Sequence, residues 1–201
     1  MGNKAILMSI QPQWVELEIN KIKKLEIRKK FCYEWASKQI KENGGFYMFI
    51  YATKKGSLTV YHSWNKTIAS YVKKYIKHNN NVAGSVIGRF WCTKVEELYT
   101  GEDGGYYTDS IQEDDKVERL SCLDTGDIEE YLNGSIGYAI HVGDIELFDV
   151  SRDIKSFKHK KVYHKCEECP YGNPCMTCFS CEQVVNLEKA PQSWCYVEDT
   201  L

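Results

Sequence analysis

Hydrophobic and polar positions change period several times along the chain, and each change marks an element. Residues 5–10 form a short apolar run suited to a buried strand. Pro12 follows where a helix would begin, and Trp14, Val15, Leu17, Ile19 and Ile22 recur behind it at roughly helical spacing. Leu25 and Ile27 then alternate with Glu26 and Arg28, which predicts a half-buried strand with its polar side chains on one face. Residues 31–41 read as helical or irregular and are broken by Gly44-Gly45, and the aromatic-rich residues 46–53 read as a strand. Ile68, Tyr71, Val72, Tyr75 and Ile76 place an amphipathic helix over 65–77 with its lysines outside. Residues 82–98 read as one strand or two, kinked near Gly84 or Gly88, and the glycine-rich, acidic stretch 99–126 as a surface loop. A short helix over 127–132, strands over 135–142 and 145–150 around Gly143-Asp144, and a closing strand over 194–197 complete the pattern. Interleaved strands and helices without a repeat or a long linker predict an α+β domain.

Composition adds little to this picture, but the distribution of charge adds more. The 201 residues are enough to bury a core without crosslinks. The N-terminal apolar run is too short for a signal-peptide core, and no stretch approaches the roughly 18 apolar residues of a membrane span. A cytoplasmic protein with reduced thiols and no membrane partner is expected. The net charge of −2 conceals an asymmetry: residues 1–95 carry 17 Lys/Arg against 5 Asp/Glu, whereas residues 96–149 carry 2 against 16. A basic surface able to attract phosphates is one consequence. An acidic loop over 96–130 that binds a basic protein partner, or masks the basic surface, is another.

Six of the nine cysteines follow residue 165, and Cys166, Cys169, Cys175, Cys178 and Cys181 read C-x2-C-x5-C-x2-C-x2-C. Two residues between thiolates let both reach one ion in a tight turn, and two such pairs supply the four soft ligands of a structural Zn²⁺ site. Pro170, Gly172, Asn173 and Pro174 provide the turn between the pairs. Cys166, Cys169, Cys175 and Cys178 are the favoured ligands, with Cys181 as an alternate and His159 and His164 nearby. An iron–sulfur cluster is a weaker reading of the same spacing. Cys32, Cys92, Cys122 and Cys195 are scattered, as buried apolar thiols are.

The stretch from Asn20 to Arg28 carries the second constellation. Lys23, Glu26 and Arg28 stand at the lysine, glutamate and arginine of a glycine-any-lysine-any-any-glutamate-any-arginine pattern. In this, and in residues 6–12 (ILMSIQP), 46–53, 136–140 and 190–197, the chain resembles the ASCH domain family of the PUA-like superfold. Lys21 occupies the glycine position, and Asn20 is expected to supply the left-handed turn in its place. The resemblance spans residues 4–157 and 187–198. It implies a mixed-sheet pseudo-barrel with flanking helices and a cleft at the motif, over 1–157 and 187–201, with 158–186 as a Cys-rich insertion. It also implies RNA binding, or nuclease or modified-nucleoside hydrolase activity in the same cleft. The branch that hydrolyses modified cytidine carries a threonine nucleophile where this chain has Glu26.

The residues support that expectation on their own chemistry. Arg28 offers a planar fork for a phosphate or a base edge, and Lys23 a compact positive charge. Glu26 can accept from an exocyclic amine, hold the lysine in place, or act as a base. Lys24, Lys29 and Lys30 extend the basic run. Trp14, Trp35 and Trp64 lie near basic residues in sequence, a mixture that suits stacking on single-stranded bases. Lys158, Lys160, Lys161 and Lys165 can extend a phosphate-contacting surface. The alternative is an ion-pair set on a wet barrel end, worth little to stability.

Overall fold

The structure is a computed structural model that describes residues 4–54, 83–112, 116–163 and 181–198. The helix expected over 65–77, Trp64, the acidic residues 113–115, His164, Lys165 and the four favoured zinc ligands lie outside the described residues, as does the side chain of Cys181.

Strand β1 (Lys4–Ile10) buries every residue after Lys4 and leads into α1 (Pro12–Ile19). Pro12 starts this helix, as expected of a residue whose φ is pre-set for the first turn. The helix ends where Ile22 and Lys23 both donate their N–H to the Leu17 carbonyl, at 2.8 and 3.0 Å. That closure puts Lys21, not Asn20, in the left-handed region at φ 59°. The residue at the glycine position of the motif therefore adopts the glycine conformation itself, a strained choice for a side chain with a Cβ.

β2 (Leu25–Arg28) follows, then α2 (Tyr33–Asn43), which stops at Gly44 with φ 76°. β3 (Phe46–Ala52) is the aromatic strand. Ile50/Tyr51 meet an irregularity of register against β4 (Ser85–Cys92), and β5 (Val95–Thr100) is separate from β4. The stretch 82–98 is thus two strands.

Residues 99–126 are not a plain surface loop. They include β6 (Tyr106–Tyr107), α3 (Lys116–Ser121) and the start of α4 (Thr125–Leu132), whose Asp124 and Asp127 form a reciprocal cap. Two acidic residues of the wider acidic stretch 96–130 turn inward. Buried Glu96 accepts from Ser110 N at 3.0 Å and Ser110 Oγ at 2.7 Å, and its Oε2 lies 2.7 Å from His141 Nε2. Buried Glu118 accepts from Thr125 Oγ1 at 3.1 Å. Acidic composition was a poor guide to exposure here, because short elements bury carboxylates on neighbouring donors.

β7 (Gly137–His141), β8 (Ile145–Arg152), a 3-10 turn (Ile154–Ser156), β9 (Lys158–Tyr163), β10 (Cys181–Asn186) and β11 (Trp194–Glu198) complete the chain. The five-stranded sheet runs β11-β1-β3-β4-β8, with β1 and β3 parallel and the other pairs antiparallel. The four-stranded sheet runs β2-β7-β5-β6, and among the described residues β9 pairs with β10 in a two-stranded sheet. The fold is α+β as expected, although these sheets do not close into one ring.

Alternation along β1 and β3 divides the core. Ile6, Met8, Ile10, Met48 and Ile50 face a cluster with Val15, Ala36 and Ile140, whereas Leu7 and Phe49 face Ile154, Phe157 and Leu187. Leu25 and Ile27 of β2 join α3 and α4 through Val117, Ile128 and Leu132. The opposite face of β2, with Glu26 and Arg28, is left for the cleft. Among the described residues no helix is long and apolar enough to cross a membrane.

Candidate functional site

The cleft sits where the end of β1, the α1–β2 junction, α4 and the segment before β11 converge. It has a volume of about 480 Å³ and is lined by Lys23, Glu26 and Arg28 together with Trp14, Tyr131, Ser9, Thr53, Gln192 and Ser193. That size suits a small organic ligand such as a nucleobase. The structure thus gathers the three motif residues in one place. Lys24, Lys29 and Lys30 do not line the cleft, and Trp35 packs against the Phe46 and Tyr196 rings instead.

The triad is buried rather than wet. Lys23 is 2% exposed, Glu26 7% and Arg28 8%. Lys23 Nζ donates to the Leu25 carbonyl at 2.6 Å and the Ser121 carbonyl at 2.9 Å, and lies 3.2 Å from Glu26 Oε2. These three acceptors account for all three ammonium protons. Lys23 also lies over the Trp14 ring, 5.1 Å from its centroid. Its work is to fix Glu26 and Trp14.

Arg28 differs. Its Nη2 donates to Glu26 Oε1 and to the Ser9 carbonyl, both at 2.8 Å. Nη1 reaches Ser193 Oγ only at 3.4 Å, and the buried Nε has no hydrogen-bond partner among the described residues. Arg28 therefore holds donor capacity that the protein does not consume, the arrangement expected of a group that meets a ligand.

Glu18, one helical turn beyond Trp14, is a fourth member that the linear motif did not reveal. Burial and the adjacent Glu26 carboxylate hold its carboxyl well above the usual carboxylate range. For Glu26, burial pushes up, but Lys23 and Arg28 outweigh it and the carboxyl lies below its ordinary value. Burial thus keeps a proton on Glu18 while Glu26 stays ionised, although neither Glu18 oxygen has a hydrogen-bond partner among the described residues. Asp127 also lines the cleft. Among the described residues, Lys23 and Arg28 stand against Glu26 and Asp127 in the lining, so these four charged side chains balance in formal charge.

The remaining cysteines among the described residues are free thiols. Cys92 and Cys122 are buried and Cys32 and Cys195 half-buried. Burial pushes Cys32 and Cys195 up to about 11 and Cys92 to about 12, so these thiols are inert near neutral pH. Among the described residues no cluster of three or more His, Cys, Asp or Glu side chains is arranged to hold a metal.

No protein-family model matches the chain, and no curated protein sequence matches it. Solved structures do. The chain is similar to the crystal structure of ASCH from Zymomonas mobilis, at 13% identity over 75% of this chain and 73% of that one, with a TM-score of 0.45. It is also similar to a serine-to-alanine variant of that protein, at 13% identity over 97% of this chain and 89% of that one, with a TM-score of 0.49. The likeness is one of architecture.

Proposed function

We propose that this chain binds single-stranded nucleic acid, with a preference for RNA, and that the cleft takes one unpaired base. The observation that carries this reading is the unspent donor capacity of Arg28, set beside a fixed carboxylate and two aromatic side chains in a cleft large enough to admit a nucleobase. Trp14 and Tyr131 provide ring surfaces for stacking, and Arg28 and Glu26 a donor and an acceptor for a base edge. The described charges of the lining balance, which suits a neutral heterocycle better than a phosphate. RNA is favoured because its loops and ends present unstacked bases. Binding is preferred to proton abstraction: both Glu26 oxygens are engaged by cations and the carboxyl is held low, which makes a weak base.

Lys23, Glu26 and Arg28 are poor first targets, since their loss disturbs the fold. Tyr131 is 43% exposed and lines the cleft, so Tyr131→Ala leaves the core intact. Labelled single-stranded RNA, single-stranded DNA and duplex are titrated with wild type and Tyr131→Ala, and the products are then run on a denaturing gel. Intact, retarded single-stranded RNA is expected, with affinity falling roughly 5- to 100-fold in the variant, the range for one lost base stack. Shortened RNA would replace the binding reading by a nuclease. Equal affinity in both proteins would remove the cleft as the site.

The Cys-rich segment is proposed to hold one structural Zn²⁺ through Cys166, Cys169, Cys175 and Cys178. Support comes from the ligand spacing and from the β9–β10 pairing, in which Tyr163 sits opposite Cys181, so that residues 164–180 leave and rejoin the fold at one place. About one equivalent of zinc per chain is expected in the purified protein by elemental analysis, and its loss in a Cys166→Ser/Cys175→Ser variant. Zinc-free protein purified with zinc in the medium would refute the site, and iron in its place would favour a cluster.

A further inference from the structure

Gln192 stands on the segment 187–193 that leads into β11, where it is exposed and lines the rim of the cleft. Both of its neighbours are pinned by one buried residue of β1. Ser9 Oγ donates to the Pro191 carbonyl at 2.6 Å, and Ser9 N donates to the Ser193 carbonyl at 2.8 Å. The Ser9 carbonyl in turn accepts from Arg28 Nη2 at 2.8 Å. The backbone at Gln192 is therefore held in a set position relative to the Arg28 guanidinium, and the glutamine amide is delivered to the same cleft.

Other polar groups of the lining are engaged within the fold. Gln11 Oε1 accepts from Gln13 Nε2, and Asp127 Oδ2 accepts from Asp124 N at 3.5 Å while Asp127 N donates to Asp124 Oδ1 at 2.7 Å. Glu26 and Arg28 on the buried wall and Gln192 at the rim are the groups set to read a base, one pair of donor and acceptor at each depth.

On the reading that the cleft takes an unpaired base, we propose that this base is adenine and that Gln192 is the residue that selects it. A base enters with its sugar bond toward the rim. The edge of a purine that carries N1 then lies deepest, and the edge that carries N7 lies nearer the opening. Adenine alone among the four RNA bases sets a donor beside an acceptor on both of these edges, because its amine flanks N1 on one side and N7 on the other. Glu26 and Arg28 offer an acceptor and a donor to the deep edge. The Gln192 amide offers the same combination to the outer one, the pairing that amide side chains make with adenine. Guanine presents two acceptors at its outer edge, one of which would face the amide oxygen. A pyrimidine has no ring nitrogen there, which leaves the amide N–H without an acceptor.

The test uses the full chain and short oligouridylates that carry one central A, C or G, or an adenine analogue with carbon in place of N7. Wild type should bind the A-containing strand more tightly than the C- or G-containing one by roughly 5- to 150-fold, the range for one bidentate contact. Gln192→Ala should remove most of that preference, with an unchanged melting temperature and unchanged affinity for plain oligouridylate. The analogue carries the sharper readout. Wild type should bind it more weakly than adenine, whereas Gln192→Ala should bind the two alike, a dependence on one ligand atom that a merely structural role for Gln192 does not produce. Absence of a preference for A, a preference that survives in Gln192→Ala, or indifference of wild type to the analogue would each overturn the assignment. The cleft would remain the base site in those cases if Tyr131→Ala still weakens binding. No binding of any strand by wild type would overturn the cleft reading and the adenine assignment with it.

Discussion

Glu26→Ala is expected to destabilise the fold by about 3–5 kcal/mol, measured as a lower denaturation midpoint at unchanged m-value. The cause is what the substitution leaves behind. Lys23 and Arg28 are buried beside each other, and Glu26 is the ionised group that both contact, at 3.2 and 2.8 Å. Removing one partner of a buried pair leaves an uncompensated charge, which costs far more than the pair contributes when intact. Glu18 shapes the size of the effect. Its proton is held by burial first and by the Glu26 charge second. Without Glu26 the second cause vanishes, while Lys23 and Arg28 still favour ionisation. Glu18 then gives up its proton and takes over part of the counter-charge. The single variant should therefore fall toward the lower end of the range, and Glu18→Gln/Glu26→Ala should be less stable than Glu26→Ala alone. That ordering is informative because Glu18→Gln by itself is expected to stabilise at neutral pH. A loss below about 0.5 kcal/mol in Glu26→Ala would mean that water reaches the cations, and the buried triad would have to be abandoned.

How much of this was legible in the sequence depended on the range of the interactions. Local periodicity placed β1, α1, β2, β3 and β11, because each has a face that must be covered whatever covers it. The same alternation put Glu26 and Arg28 on one side of β2, and only the burial of that side was missed. The charges themselves hid it: a run of lysines and arginines reads as a solvated surface, yet Lys23 turns inward to two carbonyls that come from β2 and from the end of α3. The Ser121 carbonyl is distant in sequence, so nothing near Lys23 announces it. Glu18 did leave a signal. It lies four residues after Trp14, on the same helical face, so it is carried toward the core with the half-buried tryptophan. Tyr131, Gln192 and Ser193 reach the cleft only through closure of the whole fold, and no local pattern could have nominated them. The acidic stretch 99–126 failed for the opposite reason. Its elements are short, and glycine and acid content outweighed the apolar spacing of Val117, Leu120 and Leu123.

Glu18→Gln should change how stability depends on pH more than it changes the structure. The wild-type carboxyl titrates higher in the folded state than in the unfolded chain, where it is near 4.3. Below that value both states are protonated and Glu18 costs nothing. As pH rises above it, the unfolded chain releases a proton that the folded protein retains. Stability then falls by about 1.4 kcal/mol per pH unit until the folded carboxyl itself ionises. Glutamine keeps the shape and has no proton to lose, so this fall is absent in the variant. Wild type and variant should melt together near about pH 4 and diverge steadily toward neutrality, with the variant more stable. Glu26 adds an opposing trend common to both proteins: its lowered carboxyl contributes stability above the unfolded value, which is lost as pH falls through the folded one. The other groups that act on Glu18 are Lys23, Arg28 and the buried Cys122 thiol, which burial holds above its usual range. Because all of them remain in the variant, the difference between the two melting curves isolates Glu18. Parallel curves from acid to neutral pH would mean that Glu18 is ionised in the fold, and Lys23 and Arg28 would then face two buried carboxylates instead of one.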